Sequence, residues 1–171
     1  HFFDKFWSPL GYKDKSEENL KKSEGMKLLK EFYRKNKEEF RAPLFLEKKF
    51  LLKISNHLLK GFIDRIDELP GGKVRIIDYK TGKKAARPSL QLDIYAIACM
   101  EELGLDVGEL AYYYVIDNEL VRVEKSQSDI IKSKDKINDI ISKMKTCVFL
   151  PKPSKFSCGS CDYQLICPAF K

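Results

Sequence analysis

Residues 61–81 read GFIDRIDELPGGKVRIIDYKT, two β-prone runs on either side of Pro70-Gly71-Gly72. Proline presets one backbone angle and glycine tolerates positive φ, so this trio is turn chemistry. The stretch is expected to fold as a hairpin, with Asp64 on its first strand and Asp78 and Lys80 on its second. Side chains alternate faces along a strand, so Asp78 and Lys80 project to one side. A fold about Gly71 sets Asp64 across from Asp78, whereas a one-residue slip would undo that. Two carboxylates converging beside a lysine suit a hard divalent cation such as Mg²⁺, which takes one or two carboxylates and keeps several waters. A centre of that kind lowers the pKa of an attacking water and clamps phosphate oxygens. The lysine would stabilise charge in the transition state or orient the water.

Outward from the hairpin, the run Leu44–Leu52 is a strand candidate that carries Glu47, which by itself reads as an edge glutamate paired with Lys48 or Lys49. A second strand is expected from Ile54 to Asp67 with a break near Ser55-Asn56, and His57 reads as an exposed turn residue. Gly61 has no side chain, which would let a phosphate approach the backbone. Arg65 and Asp67 can form a surface pair, Ile76 and Ile77 read as core, and Tyr79 points away from Asp78 and Lys80 as packing. Beyond Thr81-Gly82, the cations Lys83, Lys84 and Arg87 make either phosphate-positioning contacts or a disordered basic loop. Pro88 and Ser89 open a helix to Leu103, with Gly104 as its left-handed cap. Gln91 and Tyr95 share one face of that helix, and Cys99 is expected to be buried and inert.

The remaining elements flank this centre. Ser16 to about Phe40 is an amphipathic helix with Ser16 as N-cap, and Met26, Leu29, Phe32 and Tyr33 are expected to face a sheet, with Gly25 a weak point. The segment His1–Tyr12 is irregular, since Pro9 and Gly11 argue against a long helix. Glu109–Ile116 and Leu120–Glu124 read as strands turned at Asp117-Asn118-Glu119, and the run Tyr112–Tyr114 as structural. Ser128–Lys145 reads as a helix with an apolar seam of Ile130, Ile137, Ile141 and Met144.

Composition bounds the possibilities. At 171 residues, 43% hydrophobic and 33% charged, the chain suits one globular domain. It holds no apolar run long enough for a membrane span and no secretory signal. A net charge of +7 favours a polyanionic partner such as nucleic acid, although a solvated lysine-rich surface gives the same number. Of the five cysteines, three crowd the C-terminus as Cys158, Cys161 and Cys167, followed by Pro168. That suits a reducing cytosol and a thiolate metal site better than a secreted disulfide framework. The spacing wraps a tetrahedral metal such as Zn²⁺, or one side of an iron–sulfur cluster. An opening on His1 is expected of a C-terminal fragment of a longer protein.

Taken in order, G-x-x-D ending at Asp64, D-Y-K-T-G from Asp78, Q-x-x-x-Y from Gln91 to Tyr95 and the terminal cysteines resemble the PD-(D/E)XK nuclease superfamily. The branch they are most similar to is the RecB-type nuclease domain attached to UvrD-like helicases and related to the CRISPR adaptation exonucleases. The resemblance covers about Phe45 to Pro168. It implies an α/β fold with a central mixed β-sheet flanked by helices, a restriction-endonuclease-like core. It implies Mg²⁺- or Mn²⁺-dependent cleavage of DNA, with Asp64 and Asp78 as metal ligands, Glu47 supporting them, Lys80 catalytic, and Gln91 and Tyr95 steadying the substrate strand or the lysine. It also implies that Cys158, Cys161 and Cys167, with an upstream cysteine, hold a [4Fe–4S] cluster. No upstream counterpart precedes Cys99, so either a missing segment, Cys147 or a non-cysteine ligand completes it, or no cluster forms. Relatives place a metal-binding histidine upstream, yet the residues around His1 do not match that motif, and His1 reads equally as a terminus. On this reading residues 1–171 are one nuclease domain with a cysteine-rich tail over 151–171, cytoplasmic and nucleoid-associated. No Walker-type sequence is present, so a helicase partner would lie upstream or on another chain. Two other classes compete: a DNA-binding scaffold with weak or absent chemistry, and a zinc-binding interaction module.

Overall fold

In the computed structural model, the residues described are 2–38, 40–82, 90–148, 150–159 and 161–170. The chain divides into two compact units, His1–Lys134 and Asp135–Lys171. No described helix is long and apolar enough to cross a membrane.

The first unit is built on a five-stranded sheet in the order β1 (Phe45–Ile54), β2 (His57–Glu68), β3 (Lys73–Lys80), β4 (Asp106–Tyr114) and β5 (Glu119–Val123). All neighbours are antiparallel except β3 and β4, which are parallel. Parallel strands need a crossover, and α3 (Leu90–Glu101) supplies it. This is the mixed sheet expected from the sequence. The core is Ile63, Ile66, Ile76, Leu92, Ile97 and their neighbours, all fully buried. Helix α3 ends as Gly104 requires: it adopts φ +64, and the Leu105 amide closes back on the Cys99 carbonyl at 2.9 Å.

The hairpin register is the decisive feature. Arg65 pairs with Ile77, Ile66 with Ile76, Asp67 with Arg75 and Glu68 with Val74, a pairing centred on Gly71. Gly71 and Gly72 take φ of +82 and +76, a conformation that costs side-chain-bearing residues about 1–2 kcal/mol. Strand β1 then pairs with β2 across the turn at Ser55-Asn56, where Ser55 has φ +53. His57 is the first residue of β2 and pairs with Ile54.

The N-terminal segment differs from expectation. Residues Phe2–Phe6 form a short helix, α1, and α2 spans Lys15–Asn36. Its N-cap is Asp14, not Ser16: the Asp14 carboxylate accepts from the Glu17 amide at 2.9 Å. The helix begins earlier than expected, at Lys15, which leaves Ser16 inside the first turn. Phe32 reaches the sheet and packs edge-on against Tyr113 at 5.5 Å, but Leu29 and Tyr33 are exposed. Gly25 is no flaw in α2, because it seats the Phe3 ring, which a Cβ would meet at 3.1 Å. Helix α4 (Gln127–Lys145) straddles the boundary between the units. Its seam is shorter than expected: Ile130 and Ile137 are buried, whereas Met144 is exposed.

Candidate active site

Asp64, Asp78, Lys80, Gln91 and Tyr95 come together on the α3 side of the sheet. Continuing the β2–β3 register one step past Arg65 and Ile77 sets Asp64 across from Asp78. Asp64 Oδ2 accepts the Tyr79 amide at 2.8 Å, which fixes its carboxylate beside β3. Asp78 is only 1% exposed. Lys80 Nζ lies 2.6 Å from Asp78 Oδ2 and donates to Gln91 Oε1 at 2.7 Å. Gln91 Nε2 in turn donates to the Tyr95 hydroxyl at 2.8 Å. A glutamine and a tyrosine one helical turn apart thus anchor the lysine head.

The electrostatics follow from burial. Loss of water pushes the Asp78 carboxyl above its ordinary value, the Asp64 charge adds to that, and Lys80 pulls the other way. Burial alone would lower the Lys80 ammonium, but the adjacent Asp78 carboxylate outweighs it, and the net shift is upward. Burial likewise raises the Tyr95 phenol, which keeps its proton. Asp78 Oδ2 is buried, and among the described residues the group beside it is the Lys80 ammonium at 2.6 Å, a charge-assisted contact. A buried carboxylate oxygen in that state, facing a second carboxylate, fits a hard divalent cation that keeps most of its waters. Among the described residues, no three His, Cys, Asp or Glu side chains gather closely enough to hold a metal ion.

Glu47 lies between the pairs Leu46–Arg65 and Lys48–Ile63, level with Asp64. It has φ +47, a left-handed conformation rare for a glutamate in a strand and the kind of strain that collects at functional sites. Its side chain is exposed. Lys83, Lys84 and Arg87 lie outside the described residues, as does His1. Gly61 does not open space for a phosphate. Phe50 pairs with it, and the Phe50 ring occupies the gap, with Cζ 2.6 Å from where a Cβ would stand.

Sequence reading treated Tyr112 as structural. It is buried, yet it also pairs with Asp78 across β3–β4, and Lys80 Nζ lies 5.5 Å from its ring centroid. Only knowledge that β3 lies beside β4 would have exposed that role. Tyr79, by contrast, packs on Tyr113 on the other face, as its parity predicts. Arg65 and Asp67 pair at 2.7 Å, mostly buried rather than on the surface. A cavity of about 1020 Å³ opens on this second face, lined by Phe32, Arg65, Arg75, Tyr79 and Tyr113, and includes none of the candidate catalytic residues. Of its arginines, Arg65 and Arg75 are already engaged by Asp67 and Glu109.

In the second unit the three clustered cysteines do not form a ligand group. Cys158 ends α5 (Lys155–Cys158), where its Sγ accepts the Ser154 amide at 3.2 Å, and Cys161 is exposed. Among the described residues, these three thiols are not gathered into a group that could hold a metal ion.

Comparison with known proteins gives the class to which this sheet belongs. The chain belongs to the PD-(D/E)XK nuclease superfamily, whose family model matches residues 3–168. Among particular relatives, the Gene 69 protein of Mycobacterium phage L5 is 24% identical over 132 residues, covering 74% of this chain and 45% of that protein. The chain therefore spans less than half the length of this curated relative. The crystal structure of SSO0001 aligns with a TM-score of 0.48 at 22% identity, over 86% of this chain and 70% of that chain.

Proposed function

We propose that this chain is a Mg²⁺- or Mn²⁺-dependent deoxyribonuclease that cleaves DNA by attack of water on phosphorus. The observation that carries the reading is the buried Asp78 facing Asp64, with Lys80 held 2.6 Å away by Gln91. Asp64 and Asp78 would hold the cation, with Glu47 close enough in register to support it through water. A bound divalent ion would supply a lowered water pKa and neutralise phosphate charge. Lys80 places its ammonium where charge develops on the phosphoryl oxygens, or orients the attacking water. Gln91 and Tyr95 keep that ammonium in one position, so little reorganisation is needed during reaction. Lys83, Lys84 and Arg87, which follow β3, would grip the flanking phosphates.

The order of motifs supports a finer reading: a RecB-like exonuclease domain that works beside a helicase, upstream or on another chain, in DNA repair or recombination. Residues 1–171 would act as one such domain, cytoplasmic and nucleoid-associated. A [4Fe–4S] cluster or zinc ion at Cys158, Cys161 and Cys167 would require those thiols to regroup, and iron and zinc content measured on anaerobically purified protein decides that point.

One observation favours a second reading, a DNA-binding scaffold of low activity: among the described residues no third His, Cys, Asp or Glu side chain joins Asp64 and Asp78. End-labelled single- and double-stranded DNA incubated with Mg²⁺ or Mn²⁺ separates the two. The nuclease reading requires cleavage by the parent and none by Asp78→Ala. Binding without cleavage by the parent would leave the scaffold.

A further inference from the structure

Strands β1 and β2 outrun the rest of the sheet. β3 pairs with β2 only from Arg65 to Glu68, so the stretch of ribbon before it pairs with itself alone. One face of this ribbon is packed, with Phe50, Leu52 and Ile54 buried and Phe50 edge-on to Tyr95 of α3. The other face presents six exposed side chains in three cross-strand pairs: Lys49 with Phe62, Leu51 with Lys60, and Lys53 with Leu58. Each pair sets one lysine beside one large apolar group. Leu51, Leu58 and Phe62 are 49%, 65% and 48% exposed. Lys49, Lys53 and Lys60 form no ion pair with any described residue.

Lysines alone would be ordinary protection of a solvated sheet edge. That explanation leaves the apolar side chains in water, where a solvated antiparallel face is normally polar.

We propose that this outer face of the β1–β2 ribbon binds single-stranded polynucleotide, with the lysines on phosphates and Phe62, Leu51 and Leu58 against the bases. The inference rests on the nuclease reading and gives it a substrate class. Unpaired bases expose flat apolar faces that stack on such side chains, whereas a duplex hides its bases and would meet the apolar groups with phosphates alone. Three ammonium groups that form no ion pair with any described residue favour a polyanion over an apolar protein partner, which would have to bury them unpaired.

The test measures binding separately from hydrolysis. Anisotropy of a labelled oligothymidylate and of a labelled hairpin duplex is followed in EDTA, with the parent, Phe62→Ala and a triple variant Lys49→Gln/Lys53→Gln/Lys60→Gln. All three substituted lysines and Phe62 are exposed, and thermal melting confirms that each variant is folded. The triple variant should lower the magnitude of the salt slope for the single strand by about 2, so that raising salt from about 50 to about 200 mM costs it roughly twentyfold less affinity than the parent. Phe62→Ala should weaken the single strand about tenfold and the duplex little. Hydrolysis of bis-p-nitrophenyl phosphate with Mn²⁺, an ester too short to reach the ribbon, should be unchanged in every variant. If the parent neither hydrolyses that ester nor cleaves labelled DNA with Mn²⁺ the nuclease reading falls, while the binding data still decide the ribbon. Parent-like single-strand affinity and salt slope in the triple variant would overturn the proposal. So would an equal loss for duplex and single strand in Phe62→Ala.

Discussion

Replacing Gly61 with alanine should destabilise the fold, because the space a methyl needs is already taken. A Cβ at Gly61 would stand 2.6 and 2.7 Å from Phe50 Cζ and Cε1, whereas packed carbons keep about 3.5–4.0 Å. Ring or strand must therefore give by roughly 1 Å. The ring has little freedom, since Phe50 is 3% exposed and meets Tyr95 edge-on at 5.9 Å. Overpacking of this kind costs about 1–3 kcal/mol, and the lost entropy of the unfolded glycine returns about 0.4–1 kcal/mol. The net loss should be about 1–2 kcal/mol, or roughly 2–8 °C in Tm for a chain of this size. Thermal and urea denaturation followed by circular dichroism would read it. A double-mutant cycle sharpens the claim. Phe50→Leu alone leaves a small cavity worth about 1 kcal/mol, but it also vacates the space above residue 61. The double variant should then be more stable than the two single losses predict, by about 1 kcal/mol. Because Tyr95 steadies Gln91 and hence Lys80, Gly61→Ala should also slow DNA cleavage while Phe50→Leu/Gly61→Ala recovers part of it. A Gly61→Ala protein as stable as the parent, or strictly additive losses in the cycle, would refute the packing argument.

Three further outcomes follow from the same geometry. Gln91→Leu frees Lys80 from its anchor and should lower kcat about ten- to a hundredfold with metal affinity unchanged, because the glutamine touches the lysine and not the carboxylates; steady-state kinetics beside Mn²⁺ titration would check it. Burial lifts the Cys99 thiol from 9.0 to about 12, so folded protein should resist alkylation there while the exposed Cys147 and Cys161 react. Since the folded pKa is the higher, the folded state keeps the proton longer, and stability should fall as pH rises from about 9 towards about 12, a loss that Cys99→Ala should not show. Asp93 is 3% exposed and is held by Lys125 at 2.5 Å and by Ser133 at 2.8 Å, so Asp93→Ala should cost about 3–5 kcal/mol by stranding the lysine, measured as a fall in Tm.

How much of this was legible beforehand depended on the range of the interaction. The turn at Gly71 is local, and a two-residue alternation carries its register outward, so Asp64 facing Asp78 could be read from Pro-Gly-Gly and counting. The Gln91–Tyr95 spacing is likewise local to one helix, and Gly104 announces the end of α3 by needing positive φ. Gly61 and Gly25 were misread because a glycine's purpose lies in what fills its missing side chain, here Phe50 and Phe3, and neither neighbour is set by local pattern. Asp14 displaced Ser16 as a cap because the helix begins earlier, at Lys15, which leaves Ser16 inside the first turn while the Asp14 carboxylate takes the Glu17 amide. Tyr112 stayed hidden for a different reason: its place beside Asp78 depends on β3 lying parallel to β4, a long-range pairing that no short window contains. Leu29 and Tyr33 have helical spacing but are exposed, since periodicity marks a shared face and not what covers it.

The central claim is that Asp64 and Asp78 hold a divalent cation while Lys80 serves the chemistry. Mn²⁺ binding followed by calorimetry, in parallel with DNA cleavage, tests it on the parent, Asp64→Asn, Asp78→Asn and Lys80→Ala. Loss of both metal binding and cleavage in the two asparagine variants, with metal binding kept but cleavage lost in Lys80→Ala, is the predicted pattern. Cleavage that survives in Asp78→Asn would contradict it.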